Sequence, residues 1–155
     1  MKGANTDSEY KYEVQALWTR GRAGIAGSPS ISPMIDFAAP PEFNGEPRKW
    51  TPEHFLVAAV VSCFLVTFRA IAEISKVELL ELEVGAEGVL KPQQQGWRFS
   101  QINLRPAITV GREQDRDLAM KALKKAEQSC LVARALNFPL TVQASVRVEV
   151  PALTA

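Results

Sequence analysis

The segment TPEHFLVAAVVSCFLVTFRA, residues 51–70, constrains this chain more than any other. Thr51 is a good N-cap, Pro52 suits the first helical position, and the charge of Glu53 favours the positive end of a helix dipole. From Phe55 to Phe68 no residue is charged and only Ser62 and Thr67 are mildly polar. The predicted helix is therefore apolar nearly all round and has to be buried, with neighbours beyond a single sheet. Its apolar run of about 14 residues falls short of the roughly 18 that a bilayer span needs, so a core or interface helix is expected. Within it sits Cys63, one of only two cysteines.

The rest of the chain gives this helix a globular setting. With 155 residues, 46% hydrophobic and 23% charged, the composition fits one ordinary domain, residues 1–155 with a core from about 9 to 150. A formal charge of +1 creates no field that would draw a nucleic-acid backbone or an anionic membrane, so neither is expected as a partner. The N-terminal MKGANTDSEYKYE lacks the apolar stretch of a secretory signal, and a cytoplasmic protein is expected.

Tyr10, Tyr12, Val14, Ala16 and Trp18 alternate with other residues, which predicts a strand over about 9–19 with one buried face. RGRAGIAGSPSISP reads as a tight turn and short strands, of which Ile31 to Phe37 is the clearest. Residues 38–50, AAPPEFNGEPRKW, predict an irregular loop packed by Phe43 and Trp50. Beyond the helix, Val77 to Leu90 and Trp97 to Val110 read as a long hairpin around KPQQQG, with Leu80, Leu82, Val84, Phe99, Ile102, Leu104 and Ile108 apolar. Residues 113–127 begin acidic, end basic and carry an apolar stripe, so a surface helix is expected there, and a last strand over Pro139 to Val150. The order strands, helix, strands, helix, strand points to an α+β domain with antiparallel sheet.

Two cysteines, Cys63 and Cys130, are too few for a disulfide-stapled secreted scaffold. Both could serve as small buried hydrophobes. Cys130, however, lies between the 113–127 helix and a second helical turn expected near Leu131, where unpaired N–H groups would lower its pKa and raise its reactivity. A metal centre is not expected, because Cys63, Cys130 and the single histidine, His54, lack ligand spacing. A Cys/His hydrolase fails too: nine residues of helix hold His54 about 13 Å from Cys63 along the axis.

TPEHFLVAAVVSCF resembles the N/T-P-E…A…S-A-C-F segment of the OsmC/Ohr family, the osmotically inducible and organic-hydroperoxide-resistance proteins. The later SCLVARAL is similar to the family's second C-P-x-S-x-x-L box, and TRGRAG to the G-G-R-D-G turn of its Ohr branch. The resemblance runs over roughly residues 9–150. It implies an OsmC-like α+β fold, with antiparallel sheets around a long buried central helix in an intertwined homodimer. It also implies a cysteine-based peroxidase that uses neither metal nor cofactor. In that reading Cys63 is the peroxidatic thiolate and Cys130 the resolving thiol. Arg22 would hold the thiolate and polarise the peroxide, Glu53 would orient Arg22, and a dithiol, lipoyl-linked in the Ohr branch, would return the electrons. A non-catalytic OsmC-like protein that binds a small apolar ligand or acts in stress is the alternative.

Two features qualify the pattern. Leu131 stands where a proline usually follows the second cysteine, so the sequence does not enforce a helix break there. Arg20 and Arg48 compete with Arg22, and the loop that supplies the arginine in the OsmC branch, here FAAPPEFNG, contains none. Glu53 and Cys63, ten residues apart, stand about 15 Å apart on one straight helix. If both serve one site, Glu53 has to come from the other subunit of a dimer.

Overall fold

The computed structural model describes residues 9–149. They divide into two compact units, one reaching His54 and one beginning at Phe55. The first is a three-stranded antiparallel sheet of β1 (Gln15–Arg20), β2 (Ala23–Ser28) and β3 (Ile31–Ala38), in that spatial order. Arg20 pairs with Ala23, so Gly21 and Arg22 form a two-residue hairpin turn, and Gly21 supplies the positive φ of +46° that such a turn needs. The expected β3 is present. The expected first strand is shorter, because residues 9–14 lie outside it.

Nor is its apolar face buried: Tyr12 is 89% and Trp18 78% exposed, and Tyr10 and Val14 are exposed as well. Alternation identifies which residues share a face, but not whether anything covers that face. On an edge strand such as β1 the two can differ.

The 38–50 loop closes on itself through a 3₁₀ turn, Pro41–Phe43, and a bond from the Gly45 N–H to the Pro40 carbonyl of 3.0 Å. A Cβ on Gly45 would stand 1.5 Å from the Ala39 oxygen, so no other residue fits without moving the loop. Phe43 is half-buried as expected, whereas Trp50 stays exposed.

Helix α1 (Pro52–Ile74) starts as the sequence signals, with the His54 N–H donating to Thr51 Oγ1 at 3.2 Å. It ends in a Schellman motif: the Lys76 N–H donates to the Glu73 carbonyl (3.1 Å) and the Val77 N–H to that of Ala72 (3.0 Å), with Lys76 at φ +56°. At 23 residues α1 is longer than its uncharged stretch, and by length and composition it could cross a membrane. One face is nonetheless committed to the protein core. Val60, Phe64, Phe68 and Ala72, spaced four apart, are fully buried, each large side chain contributing about 1.5–3 kcal/mol. Burial on every side, as expected from the sequence, does not occur within one chain: Val66 and Ile74 are exposed.

The stripe packs with Val84 of β4 (Leu79–Gln93) and with Ile102, Leu104, Ile108 and Val110 of β5 (Gly96–Val110). These strands form the expected antiparallel hairpin, turning between Gln93 and Gly96. Leu80, expected among the apolar positions, is exposed because a register shift between Leu79 and Glu81 leaves it outside the pairing. Helix α2 (Glu113–Ser129) adds Ala119, Ala122, Leu123 and Ala126 to the core. Its first turn also holds Asp115, fully buried against Arg112 through bonds of 2.7 and 3.1 Å. After a short α3 (Leu131–Arg134), the final strand comes in two pieces, β6 (Leu140–Val142) and β7 (Ser145–Val148), both parallel to β5. Its expected end at Val150 lies outside the described residues. The architecture is α+β, with antiparallel sheets and a long helix.

Candidate active site

Cys63 lies midway along α1, beside Phe64 of the buried stripe, and is itself half-buried. Cys130 is fully buried at the junction of α2 and α3, where it is C-cap to one helix and N-cap to the other. Its extended conformation, φ −64° and ψ 111°, breaks the helix without the proline that the sequence lacks. Folding thus brings together two thiols 67 positions apart in sequence, and both are free. The side chains of Cys63 and Cys130 are hydrogen-bonded to each other.

The two sulfurs sit in opposite electrostatic settings. Burial acts to raise the Cys63 pKa. Hydrogen bonds from the Val132 N–H, the Cys130 thiol, the Thr67 hydroxyl and the Leu131 N–H outweigh it and hold Cys63 below the usual cysteine value. For Cys130, burial is again the largest effect and pushes the pKa up; the Ala133 N–H and, less, the Val132 N–H oppose this, and the bond to Cys63 and the Cys63 charge add to the rise. The sequence expectation that the second helical turn would activate Cys130 is therefore reversed. The first N–H groups of α3 serve Cys63, delivered by another helix, while Cys130 stays protonated and donates.

Thr67, mildly polar by sequence, is a hydrogen-bond partner of Cys63. It lies four residues after Cys63, on the same helix face, and that spacing is readable from the sequence. The contribution of the α3 backbone was not readable, because it depends on the meeting of two distant segments. Of the residues flanking the cysteines, Phe64 fills the core, whereas Leu131 is 73% exposed.

The expected charged partners belong to the N-terminal unit. Arg22 follows Gly21 in the hairpin turn, and its Nη1 donates to the Phe43 carbonyl at 2.6 Å, which ties the guanidinium to the 38–50 loop. Its competitor Arg20 is engaged by Glu46 at 2.7 Å. Arg48 sits in the left-handed region, φ +61°. Glu53 lies in the first turn of α1, and its Oε2 is buried without a hydrogen-bond partner among the described residues. Helix α1 contains both Glu53 and Cys63, so the axial separation of about 15 Å stands. His54 is exposed, with Nδ1 2.9 Å from Thr51 Oγ1. No cluster of three metal-ligating side chains occurs among the described residues.

Comparison with known proteins places the fold in a family. The model of the OsmC-like protein family matches residues 45–145, and the chain belongs to that family. It is 27% identical over 145 residues to the uncharacterized protein YmaD of Bacillus subtilis (strain 168), covering 90% of this chain and 97% of YmaD. An OsmC-like protein of unknown function from Vibrio cholerae superposes with a TM-score of 0.78 at 19% identity, covering 88% of this chain and all (100%) of the other. An organic hydroperoxide resistance protein OsmC of Legionella pneumophila does so with a TM-score of 0.71 at 25% identity, covering 90% of this chain and 100% of its own.

Proposed function

We propose that this protein is a cytoplasmic thiol peroxidase that reduces organic hydroperoxides, with Cys63 as the peroxidatic and Cys130 as the resolving cysteine. The observation that carries this reading is the split between the two adjacent sulfurs: hydrogen bonds lower the pKa of Cys63, and burial raises that of Cys130 beside it. The Cys63 thiolate attacks the terminal oxygen of ROOH; the O–O bond breaks, Cys63 becomes a sulfenic acid, and the alkoxide leaves as ROH after taking up a proton. The Cys130 sulfur then displaces hydroxide from the sulfenic sulfur, its proton leaves with that hydroxide as water, and a disulfide forms. A dithiol reductant, lipoyl-linked by the Ohr resemblance, reopens the disulfide and is itself oxidised to a disulfide.

Arg22 polarises the peroxide and steadies the thiolate, and Glu53 orients that guanidinium. Because Glu53 and Cys63 share one helix, the site takes its Glu53 from the second subunit of an intertwined homodimer. The partnerless Glu53 Oε2 and the exposed Val66 and Ile74 of α1 support this arrangement. Size-exclusion chromatography with light scattering is expected to show a dimer, and a stable folded monomer would count against it.

The activity is tested by following consumption of cumene hydroperoxide with dihydrolipoamide or thioredoxin as donor. The wild-type protein is expected to turn over and to accumulate an intramolecular disulfide visible by mass spectrometry. Cys63→Ser is expected to lose turnover by about a thousandfold or more. A Cys63→Ser protein that still worked at the native rate would reject the reading in favour of a non-catalytic ligand-binding protein.

A further inference from the structure

A second constellation lies within the N-terminal unit, built from residues for which the thiol chemistry has no use. Arg48, Lys49, Trp50 and His54 line a cleft of about 270 Å³. Three of the four carry basic nitrogen, and no carboxylate is among the lining residues. The Lys49 ammonium is paired with Asp36. The Arg48 guanidinium is exposed and has no hydrogen bond or ion pair among the described residues.

Arg48, at φ +61°, follows Pro47 in a turn, where a proline followed by a left-handed residue is an ordinary pattern, so a glycine there would hold the same backbone.

The remaining walls define the ligand's shape. The rings of Trp50 and His54 meet edge to face with centroids 6.1 Å apart, giving the cleft an aromatic corner. His54 Nδ1 faces the Thr51 hydroxyl, which already accepts the His54 backbone N–H and has its own proton to donate. With Nδ1 accepting that proton, the neutral ring carries its hydrogen on Nε2, a further donor. An apolar cavity of roughly 150 Å³ holds one benzene ring, so this cleft has room for a ring and one charged substituent.

We infer that the Arg48–Lys49–Trp50–His54 cleft is a binding site for a small aromatic carboxylate, its ring against Trp50 and its carboxylate on the Arg48 fork. The inference does not depend on the peroxidase reading.

Benzoate is the probe, titrated into the full-length protein by calorimetry and by ligand-observed NMR. Saturable binding to one site is expected, with a Kd in the millimolar range or tighter. Neutral benzamide is expected to bind about tenfold or more weakly, because it gives Arg48 no charge to pair with. The decisive variant is Arg48→Gly. Glycine accepts positive φ freely, so this protein is expected to melt at or above the wild-type temperature while its benzoate affinity falls about tenfold or more. Cys63→Ser is expected to bind benzoate as the wild type does, which separates this site from the thiol chemistry. Absence of saturable binding, equal affinity for benzamide, undiminished binding by Arg48→Gly, or loss of binding in Cys63→Ser would each overturn the inference.

Discussion

The two units of this chain use similar sequence patterns to different ends. In the C-terminal unit the apolar positions of α1, β4, β5 and α2 converge on one core, and Val60, Phe64, Phe68, Ile102, Leu104 and Ala126 all have no exposed surface. In the N-terminal unit the equally regular Tyr10, Tyr12, Val14 and Trp18 remain in solvent. The contrast teaches that an amphipathic pattern records a demand for a partner and leaves the identity of that partner open. The chemistry divides the same way. Both thiols lie in the C-terminal unit with their hydrogen-bond partners, while the N-terminal unit holds Arg22 and Glu53, whose Oε2 has no hydrogen-bond partner among the described residues.

The comparison can be broken most forcefully at the core. Phe64→Ala is expected to cost about 3–5 kcal/mol in urea denaturation, and Tyr12→Ser no more than about 0.5 kcal/mol. A large, concentration-dependent loss for Tyr12→Ser would instead place the N-terminal stripe in a subunit interface. A smaller effect is expected at the hairpin turn. Arg22→Lys keeps the charge but loses the planar fork, and kcat/KM for an alkyl hydroperoxide should fall about tenfold to a hundredfold, with the fold intact by circular dichroism. An unchanged kcat/KM would remove Arg22 from the site. Smaller again is the helix start: Thr51→Ala removes the acceptor for the His54 N–H and should lower stability by about 1 kcal/mol.

Much of the frame was legible in the sequence, because it rests on local signals. Thr51-Pro52-Glu53 announced α1, the acidic-to-basic run announced α2, and two apolar runs around KPQQQG announced the β4–β5 hairpin. What escaped depends on meetings between distant segments. Nothing near Lys76 advertises a helix end, since a lysine occupies the position where glycine is the usual sign. Asp115 belongs to the acidic first turn that the sequence shows, yet it is fully buried and paired with Arg112. The parallel pairing of β6 and β7 with β5 follows from the α2 crossover, which an alternating pattern does not encode.

The candidate site shows the same limit at the scale of two sulfurs. Motif resemblance named Cys63 and Cys130 together, whereas the helix-terminus argument, applied locally, favoured the wrong one as the more acidic thiol. A cysteine that precedes a helical turn does not own that turn's N–H groups. Here Leu131 and Val132 direct theirs to Cys63, and what Cys130 gains, from the Ala133 N–H and a lesser share of Val132, is too little to offset its burial.

The most direct test of this ordering is the pH dependence of alkylation at each cysteine, followed by iodoacetamide labelling of the reduced protein and peptide mass spectrometry. Thiolate is the reacting species, so the labelling rate rises with pH through each thiol's pKa. Cys63 should label first, with its inflection below that of an unperturbed cysteine, and Cys130 should label only at a pH above it. Coincident inflections, or Cys130 labelling at the lower pH, would contradict the assignment of Cys63 as the thiolate and Cys130 as the proton-bearing thiol beside it.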